Sequence, residues 1–453
     1  MRTWTIGVGL VLVVGCSERV AMSETGATST GEASATDTAS GASGELPTSG
    51  GPTSETGGGS TGGESSGTSA SGTSTGAVST SGGDTSTGAG GTSGSTGAPL
   101  EGCASACDRT SMHVGNINLA AGDDTDWLKC VNVVVGDIFV DGAVDAAALA
   151  GLVDLQVLAG VLTINDNPVL TDLGPLACLR SAGEVQILGA PALTDMSALA
   201  GLEDTRLIFL RATGLTGLPE LPALTGLQRL MLFGNPALTD LTGAGTWKIS
   251  SDEFALAVRD NPVLADLVGV EGLFAQAKDT SLLSVEVYDS PALTSLAGLE
   301  TLTHGDLVLR GLPGLTELEA LAGYVHAGSV TLSGMPGLGS LHGLHNLQDV
   351  TGLFELGDCL SVGPGVDGMD GLVDLSGLDA LVKVAAFGVA NNDAMVGLGG
   401  APKLQQVGLL AVMENAKLTQ AAVDALVGQL DQAPGNLCFG DWEMCSCYEL
   451  LPW

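Results

Sequence analysis

Hydrophobic and polar positions repeat along the chain from residue 131 to residue 418. A short alternating run such as Val161–Ile164 or Leu307–Leu309 predicts a strand that buries every second side chain. Asn-Pro or Ser-Pro then ends the strand, because proline lacks the N–H that a sheet ladder needs. We expect the Asn side chain to bond backbone groups freed at this turn. A closing Leu-Thr-x-Leu-x-Gly-Leu is expected to point three leucines inward.

The repeat has a nearly constant length. Counted between the prolines at 168, 191, 236, 262, 291, 313 and 336, the steps are 23, 45, 26, 29, 22 and 23 residues, and the step of 45 holds two units. A leucine-rich period of about 20–29 residues is typical of a solenoid. Such units bury their apolar faces only by stacking. The sequence therefore predicts a β-rich solenoid with a parallel sheet, one continuous core and about eleven or twelve units.

Three phrases make the pattern more specific: Val135–Val140, Ala150–Leu152 and Asn167–Leu173. They resemble receptor L-domain-like repeats, a relative of leucine-rich repeats found in receptor ectodomains and bacterial surface lipoproteins. The resemblance covers about 300 residues. It implies a right-handed parallel β-solenoid used for recognition, with no catalytic residues to transfer. The segment Cys359–Asp370 and the copy at Asn391–Met395, which lacks the proline, depart from the pattern.

The segments beside the repeats are predicted to be end caps. Residues 100–130 contain three cysteines, and residues 419–453 contain three more. Apolar residues of Thr419–Leu430 recur at helical spacing, with Thr419 as the N-cap. The sequence thus predicts a short C-terminal helix and a cysteine-rich loop over the end of the core. An aromatic binding face in residues 438–453 is the less favoured alternative.

The N-terminus predicts export. Residues 1–15 combine Arg2 with an apolar run too short to span a membrane, as in a signal peptide. The boundary Val13–Cys16 resembles the lipobox of bacterial lipoproteins, which implies cleavage before Cys16 and a lipid on that cysteine. Ser17 in place of Asp favours the outer membrane by the same analogy. An ordinary signal peptide with a chance cysteine is the alternative.

Residues 16–99 are predicted to be the lipidated cysteine and a disordered linker. Gly, Ser and Thr make up about three quarters of residues 23–98, and aromatic residues are absent there. Such a segment cannot bury enough apolar area to offset its chain entropy. As a flexible coil it would span roughly 45–50 Å. We therefore expect a cell-envelope protein, anchored by lipid in the outer membrane, whose solenoid is surface-exposed or periplasmic.

Charge and cysteine content narrow the function. The chain has 15 Lys and Arg against 51 Asp and Glu, a net charge of −36, which argues against binding nucleic acid. Of nine cysteines, eight remain after Cys16, an even number that favours disulfides in an exported chain. The candidates are Cys103, Cys107, Cys130, Cys178, Cys359, Cys438, Cys445 and Cys447, and the sequence leaves their pairing open.

The sequence motifs that could indicate catalysis, cofactor binding or metal binding are all incomplete. Gly63–Gly67 matches a nucleophile elbow and Gly363–Gly368 a dinucleotide-binding loop, but neither has the required strand and helix around it. His342 with His345, and the acidic cluster Asp123–Asp126, lack a complete ligand set and are interpreted as loop residues. The sequence predicts no metal, no cofactor and no catalytic residue.

Our leading hypothesis is a non-enzymatic lipoprotein whose solenoid recognises a protein or glycan ligand, for example in adhesion. Thr163, Arg211 and Arg310 are candidate contact residues, because they alternate with inward strand positions. The alternatives are a structural envelope component that self-associates and, less favoured, a carbohydrate-active solenoid enzyme.

Overall fold

The computed structural model describes Cys103 and residues 111–142, 144–250, 252–358 and 368–440. Several predictions lie outside these residues: the signal peptide, the lipobox with Cys16, the linker, the motif Gly63–Gly67 and residues 363–367 of the second glycine motif. The cysteines at 107, 359, 445 and 447 also lie outside them.

Strands dominate the described residues. They are β1 (Ser111–Val114), β2 (Ile117–Leu119), β3 (Val131–Val135), β4 (Ile138–Asp141), β5 (Val157–Asn165), β6 (Ser181–Leu188), β7 (Leu207–Arg211), β8 (Arg229–Phe233), β9 (Glu253–Arg259), β10 (Leu282–Tyr288), β11 (His304–Arg310), β12 (His326–Ser333), β13 (Asp349–Leu356), β14 (Lys383–Ala390), β15 (Gln406–Met413) and β16 (Asn436–Gly440). The α-helices are α1 (Glu271–Phe274) and α2 (Gln420–Gln429). Short 3-10 helices lie at Asp126–Leu128, Ala150–Leu152, Gly174–Leu176, Ser197–Gly201, Thr242–Thr246 and Glu319–Leu321.

The strands form a single parallel sheet in chain order. The order is β1-β3-β5 and then each strand from β6 to β16 in turn, while β4 pairs with β2 and β5. We call each strand of the sheet with the chain that returns to the next strand a level. Counting β3 and β4 as one level, the described residues between Val131 and Met413 form twelve levels, which agrees with the predicted number of units. This arrangement confirms the leucine-rich parallel β-solenoid. The sheet continues through β1, β2 and β16, on both sides of the segment 131–418.

One face of the sheet packs into the core. Leu230 and Leu232 of β8 lie in register with Leu256 and Val258 of β9, and all four side chains are fully buried. The leucines of the closing phrase meet the strands from the other side, as Leu293, Leu296 and Leu299 illustrate; each is at most 2% exposed. Because every level repeats this arrangement, the inward leucines merge into one continuous core.

Buried polar residues hold the turns after several strands, and we call Asn167, Asn235, Asn261, Ser290 and Asn392 the buried spine. Asn235 donates from Nδ2 to the carbonyl of Leu210 at 3.1 Å, and its Oδ1 accepts the N–H of Thr213 at 3.1 Å. Its own N–H donates to Oδ1 of Asn261 at 3.1 Å, which links one level to the next. The same position holds Asn167, Asn261, Ser290 and Asn392, all buried. The predicted role of the turn asparagine is confirmed, since it satisfies backbone groups that would otherwise be buried unpaired.

Backbone conformation at two turns restricts the sequence. The residue that follows each strand often has positive φ, and it is usually Gly or Asp; Ala212, with φ of 51°, is an exception. In the closing phrase, Gly298 has φ of 109°, and a Cβ there would overlap the carbonyl oxygen of Leu267. The glycine of the closing phrase therefore permits close stacking of consecutive levels.

Disulfide-bonded cysteines and a helix lie near the ends of the repeats, while residues 441–453 of the predicted cysteine-rich loop lie outside the described residues. Cys103 forms a disulfide with Cys178, and Cys130 and Cys438 are also disulfide-bonded. Helix α2 occupies the predicted position, and the Thr419 side chain accepts the N–H of Ala422 at 3.4 Å as its N-cap. Within the described residues, no helix is both long and apolar enough to cross a membrane.

Candidate functional site

The second face of the sheet points away from the core, and we call it the outer face. It is formed by the strand residues that alternate with the buried ones. From β7 to β11 each strand contributes three such positions in register with its neighbours. Where these side chains are exposed, they are accessible to a ligand.

Strands β7 and β8 present a compact group on the outer face. Phe209 lies in register with Met231, and Arg211 with Phe233, while Arg229 lies beside Leu207. The rings of Phe209 and Phe233 meet edge to face with centroids 5.1 Å apart. We call Phe209, Arg211, Arg229, Met231 and Phe233 the β7–β8 patch. It places an apolar centre between two arginines that are both exposed.

The last outer position alternates between arginine and an aromatic ring over five consecutive strands. Arg211, Phe233, Arg259, Tyr288 and Arg310 are in register from β7 to β11. The guanidinium of Arg259 lies 5.2 Å from the centroid of Phe233 and 4.1 Å from that of Tyr288. Cation–π attraction of this kind holds the side chains in place. We call these five residues the arginine–aromatic ladder.

Ion pairs neutralise part of this ladder. Arg259 Nη2 lies 2.6 Å from Glu286 Oε2. Arg310 contacts Asp358 at 3.3 Å and the buried Glu355 at 3.6 Å. In contrast, Arg211 and Arg229 make no ion pair and no side-chain hydrogen bond with any part of the chain that the structure describes. They are thus available for ligand carboxylates.

The ladder also changes the chemistry of its tyrosine. Burial raises the pKa of Tyr288, and the neighbouring Glu286 carboxylate raises it further, while Arg259 and Arg310 oppose the shift. The shift moves the pKa of the phenol further from neutral pH, where its O–H is a hydrogen-bond donor. Burial likewise raises the pKa of Asp306 on β11, although its Oδ1 accepts the N–H of Ser329 at 2.6 Å.

The structure places all three candidate contact residues on the outer face. Arg211 and Arg310 are the two ends of the ladder, whereas Thr163 lies on β5, in register with Gln186 and away from it. The aromatic members and Arg259 were missed. A signal did exist: Phe233, Arg259, Tyr288 and Arg310 each lie three residues before the proline of their repeat.

Towards the C-terminus the outer face changes character. Positions in register on β14 and β15 are Gly388, Ala390, Ala411 and Met413, which are small or buried. Ala386, Ala390, Ala411 and Met413 form a second, separate apolar cluster, with Leu353, Leu409 and Cys438 packed against it. This part of the outer face is therefore a packed surface rather than an exposed set of rings and charges.

A concavity lies at the amino ends of β10 to β13. It has a volume of about 620 Å³ and is lined in part by His304, His326 and Asp349. His326 Nδ1 lies 2.7 Å from Asp349 Oδ2, and His304 Nε2 lies 3.1 Å from the carbonyl oxygen of Ser281. Both imidazoles are thus engaged within the protein.

The other polar clusters agree with their interpretation as loop residues. The rings of His342 and His345 stack with centroids 4.8 Å apart, and Glu319 lies 3.3 Å from His342. In the acidic turn, Asp123 accepts the N–H of Ala120 and Asp126 pairs with Lys129. Among the described residues, no group of three or more His, Cys, Asp or Glu side chains is arranged to hold a metal ion.

Comparison with known proteins adds no independent support for the fold or the function. No protein-family model matches the chain, and no curated protein matches it. Among solved structures, it is similar to an internalin from Listeria monocytogenes, at 14% identity and a TM-score of 0.35. The match covers 73% of this chain and 87% of the internalin. Because this likeness is weak, the fold assignment depends on the parallel register described above.

Proposed function

We propose that this chain is a non-enzymatic recognition protein that binds a protein ligand through the outer face of β7 to β11. One observation carries the proposal: exposed or half-buried Phe, Tyr, Met and Arg side chains are concentrated there, although aromatic residues are only 4% of the chain. Protein interfaces are enriched in these residue types. The residues that dominate binding energy are most often aromatic or Arg.

Rigidity supports the same proposal. The ladder residues stand on adjacent strands of a sheet whose other face is fully packed, and Arg259 is held between two rings and a carboxylate. Side chains that are already ordered lose little conformational entropy when a ligand binds. Glu286 and Glu355 are paired with arginines, which favours recognition over acid–base catalysis at this surface.

The test is an unbiased selection of binders from a displayed library of protein domains against the full purified chain. Binders are then measured against a double variant, Met231→Ala with Phe233→Ala, and against the control Val169→Ala, an exposed valine in the turn after β5. We expect the double variant to weaken most binders at least about tenfold and the control to leave them unchanged. Binders whose affinity is the same for both variants and the original chain would contradict the proposal. A glycan array probed with the same variants tests the rival ligand class, and face-dependent glycan binding would overturn the choice of a protein ligand.

The proposal also includes a location in the cell envelope. The lipobox-like boundary Val13–Cys16 supports a lipid on Cys16 that anchors the chain in the outer membrane. Replacement Cys16→Ala should abolish incorporation of a labelled fatty acid into the chain. Protease treatment of intact cells then separates the two orientations, since only a surface-exposed solenoid is cut before the outer membrane is breached. Fatty-acid labelling that persists in the Cys16→Ala chain would refute the anchor.

A further inference from the structure

The chemistry of the ligand can be narrowed from the β7–β8 patch, on condition that the proposed function holds. Outer positions of one strand are two residues apart, or about 6.6 Å. Arg229 occupies the first outer position, Phe209 and Met231 the middle one, and Arg211 the last. Two such steps, about 13 Å, and the strand spacing of about 4.8 Å place the Cα atoms of the two arginines about 14 Å apart, with an apolar centre between them.

The ion pairs around the patch show which of its cations can contact a ligand. The neighbouring cations Arg206, Arg259 and Arg310 are paired with carboxylates of the chain itself. Arg211 and Arg229, exposed and without such partners among the described residues, are the cations that this patch offers to a ligand. Exposed guanidinium groups bind carboxylates through charge-assisted, often bidentate, hydrogen bonds. The patch therefore complements two carboxylates placed about 14 Å apart.

The acidic remainder of the chain limits the class of anion. Charges farther apart than about 8 Å are largely screened at physiological ionic strength, so the arginines act mainly on groups that reach the patch. A long polyanion, such as a sulfated glycan, would continue over acidic surface in a chain with net charge −36. A short segment with two carboxylates and an apolar residue between them avoids this repulsion and fills the apolar centre.

We propose that the β7–β8 patch binds an extended segment of a partner protein with the pattern acidic-x-apolar-x-acidic. In an extended chain, residues i, i+2 and i+4 point to one side at intervals of about 6.6 Å. A segment lying along the strands thus sets its two carboxylates on Arg229 and Arg211 and its apolar side chain against Phe209 and Met231. The match of spacing, charge and polarity specifies the partner more narrowly than a general protein-binding face.

The experiment measures fluorescence anisotropy of two labelled peptides with the full chain. One peptide contains Glu-Gly-Phe-Gly-Glu, and the other has the same composition in the order Glu-Glu-Phe-Gly-Gly. We expect the first to bind about tenfold more tightly, and Arg211→Gln or Arg229→Gln to weaken it about tenfold each. The control Lys383→Gln removes an exposed charge from β14 of the same sheet and should leave the affinity unchanged.

Each other outcome overturns the inference. Equal affinity for the two peptides, no detectable binding of either, or an equal effect of Lys383→Gln would remove the spacing argument. A sulfated oligosaccharide that binds the patch more tightly than the first peptide would replace the acidic segment as ligand. If the library selection yields binders that depend on Met231 and Phe233 but lack paired acidic residues, the recognition function stands and only this inference fails.

Discussion

The two faces of one sheet follow different rules. On the inner face, β7 to β11 repeat Ile, Leu or Val at both buried positions. On the outer face the same strands carry charged, aromatic, small and aliphatic residues with no common type. Stacking fixes the inner residues, because every level must fill the same core volume. The outer residues of β7 to β11 do not fill that core, so their types can vary from strand to strand.

The outer face itself divides in the same way. From β7 to β11 it presents exposed arginines and half-buried rings, while on β14 and β15 it presents Gly and Ala in a small packed cluster. Among the described residues Arg211 and Arg229 make no ion pair, so these exposed arginines add little to the stability of the fold. The recognition proposal depends on this contrast between the two regions.

The sharpest test compares neighbouring residues of β8. Leu230→Ala should cost about 2–5 kcal/mol of the free energy of unfolding, because the fully buried leucine leaves a cavity in the core. Met231→Ala, one residue later on the outer face, should cost less than about 1 kcal/mol. Both values come from denaturant unfolding followed by circular dichroism. Similar costs would mean that the outer face of β8 belongs to the core, which would erase the distinction between the faces.

A second prediction concerns the turn that lets the inner face stack. Gly298→Ala should destabilise the fold by about 2–3 kcal/mol, because Ala tolerates φ of 109° poorly and its Cβ would overlap Leu267. Gly399→Ala is the matched control, since nothing lies within 4 Å of a Cβ there and its φ is not positive. Thermal unfolding measures both. An equal small effect would show that the levels can separate to admit a side chain.

A third prediction concerns the buried spine. Asn235→Ala should cost about 1–3 kcal/mol, because the Leu210 carbonyl and the Thr213 N–H lose their partner inside the protein. Asn118→Ala is the comparison, as Asn118 is exposed on β2. Denaturant unfolding should show no more than a few tenths of a kcal/mol for the control. A neutral Asn235→Ala would imply that water replaces the amide at this turn.

The sequence predicts the inner face of the sheet better than the outer face. The strands, the turn asparagine, the inward leucines and helix α2 were predicted because each repeats a local rule: alternation, proline, glycine and capping. The β7–β8 patch was not, although its residues lie in predicted strands. Its members lie on two strands, and their contacts depend on which residues the register brings side by side; Phe209 and Met231, for example, are 22 residues apart in the chain.

Disulfide pairing was beyond the sequence for a similar reason. Cys103 lies in the predicted cap and Cys178 in the repeats, 75 residues away, so no local spacing points from one to the other. The arginine–aromatic ladder had a weak signal in the residue three places before each proline. That signal becomes meaningful only when the parallel register shows that these positions form one row.

The smallest expected effect tests the turn that directly follows the outer residue Arg211. Ala212 has φ of 51°, a conformation that costs an L-residue about 1–2 kcal/mol, whereas Gly tolerates it at an entropic cost of about 0.5–1 kcal/mol. Ala212→Gly should therefore stabilise the fold by up to about 1 kcal/mol. It should leave the affinity for the acidic peptide unchanged, because the Arg211 side chain is intact.

The matched control reverses this change one level later. Gly234 has φ of 59°, and nothing lies within 4 Å of a Cβ placed there. Gly234→Ala should therefore lose about as much stability as Ala212→Gly gains, and both follow from thermal unfolding of the full chain. If Ala212→Gly instead lowers stability, the entropy of the unfolded chain outweighs the backbone strain. A weakened peptide affinity with unchanged stability would show that this turn positions Arg211, so that the outer face depends on its turns as strictly as the inner face does.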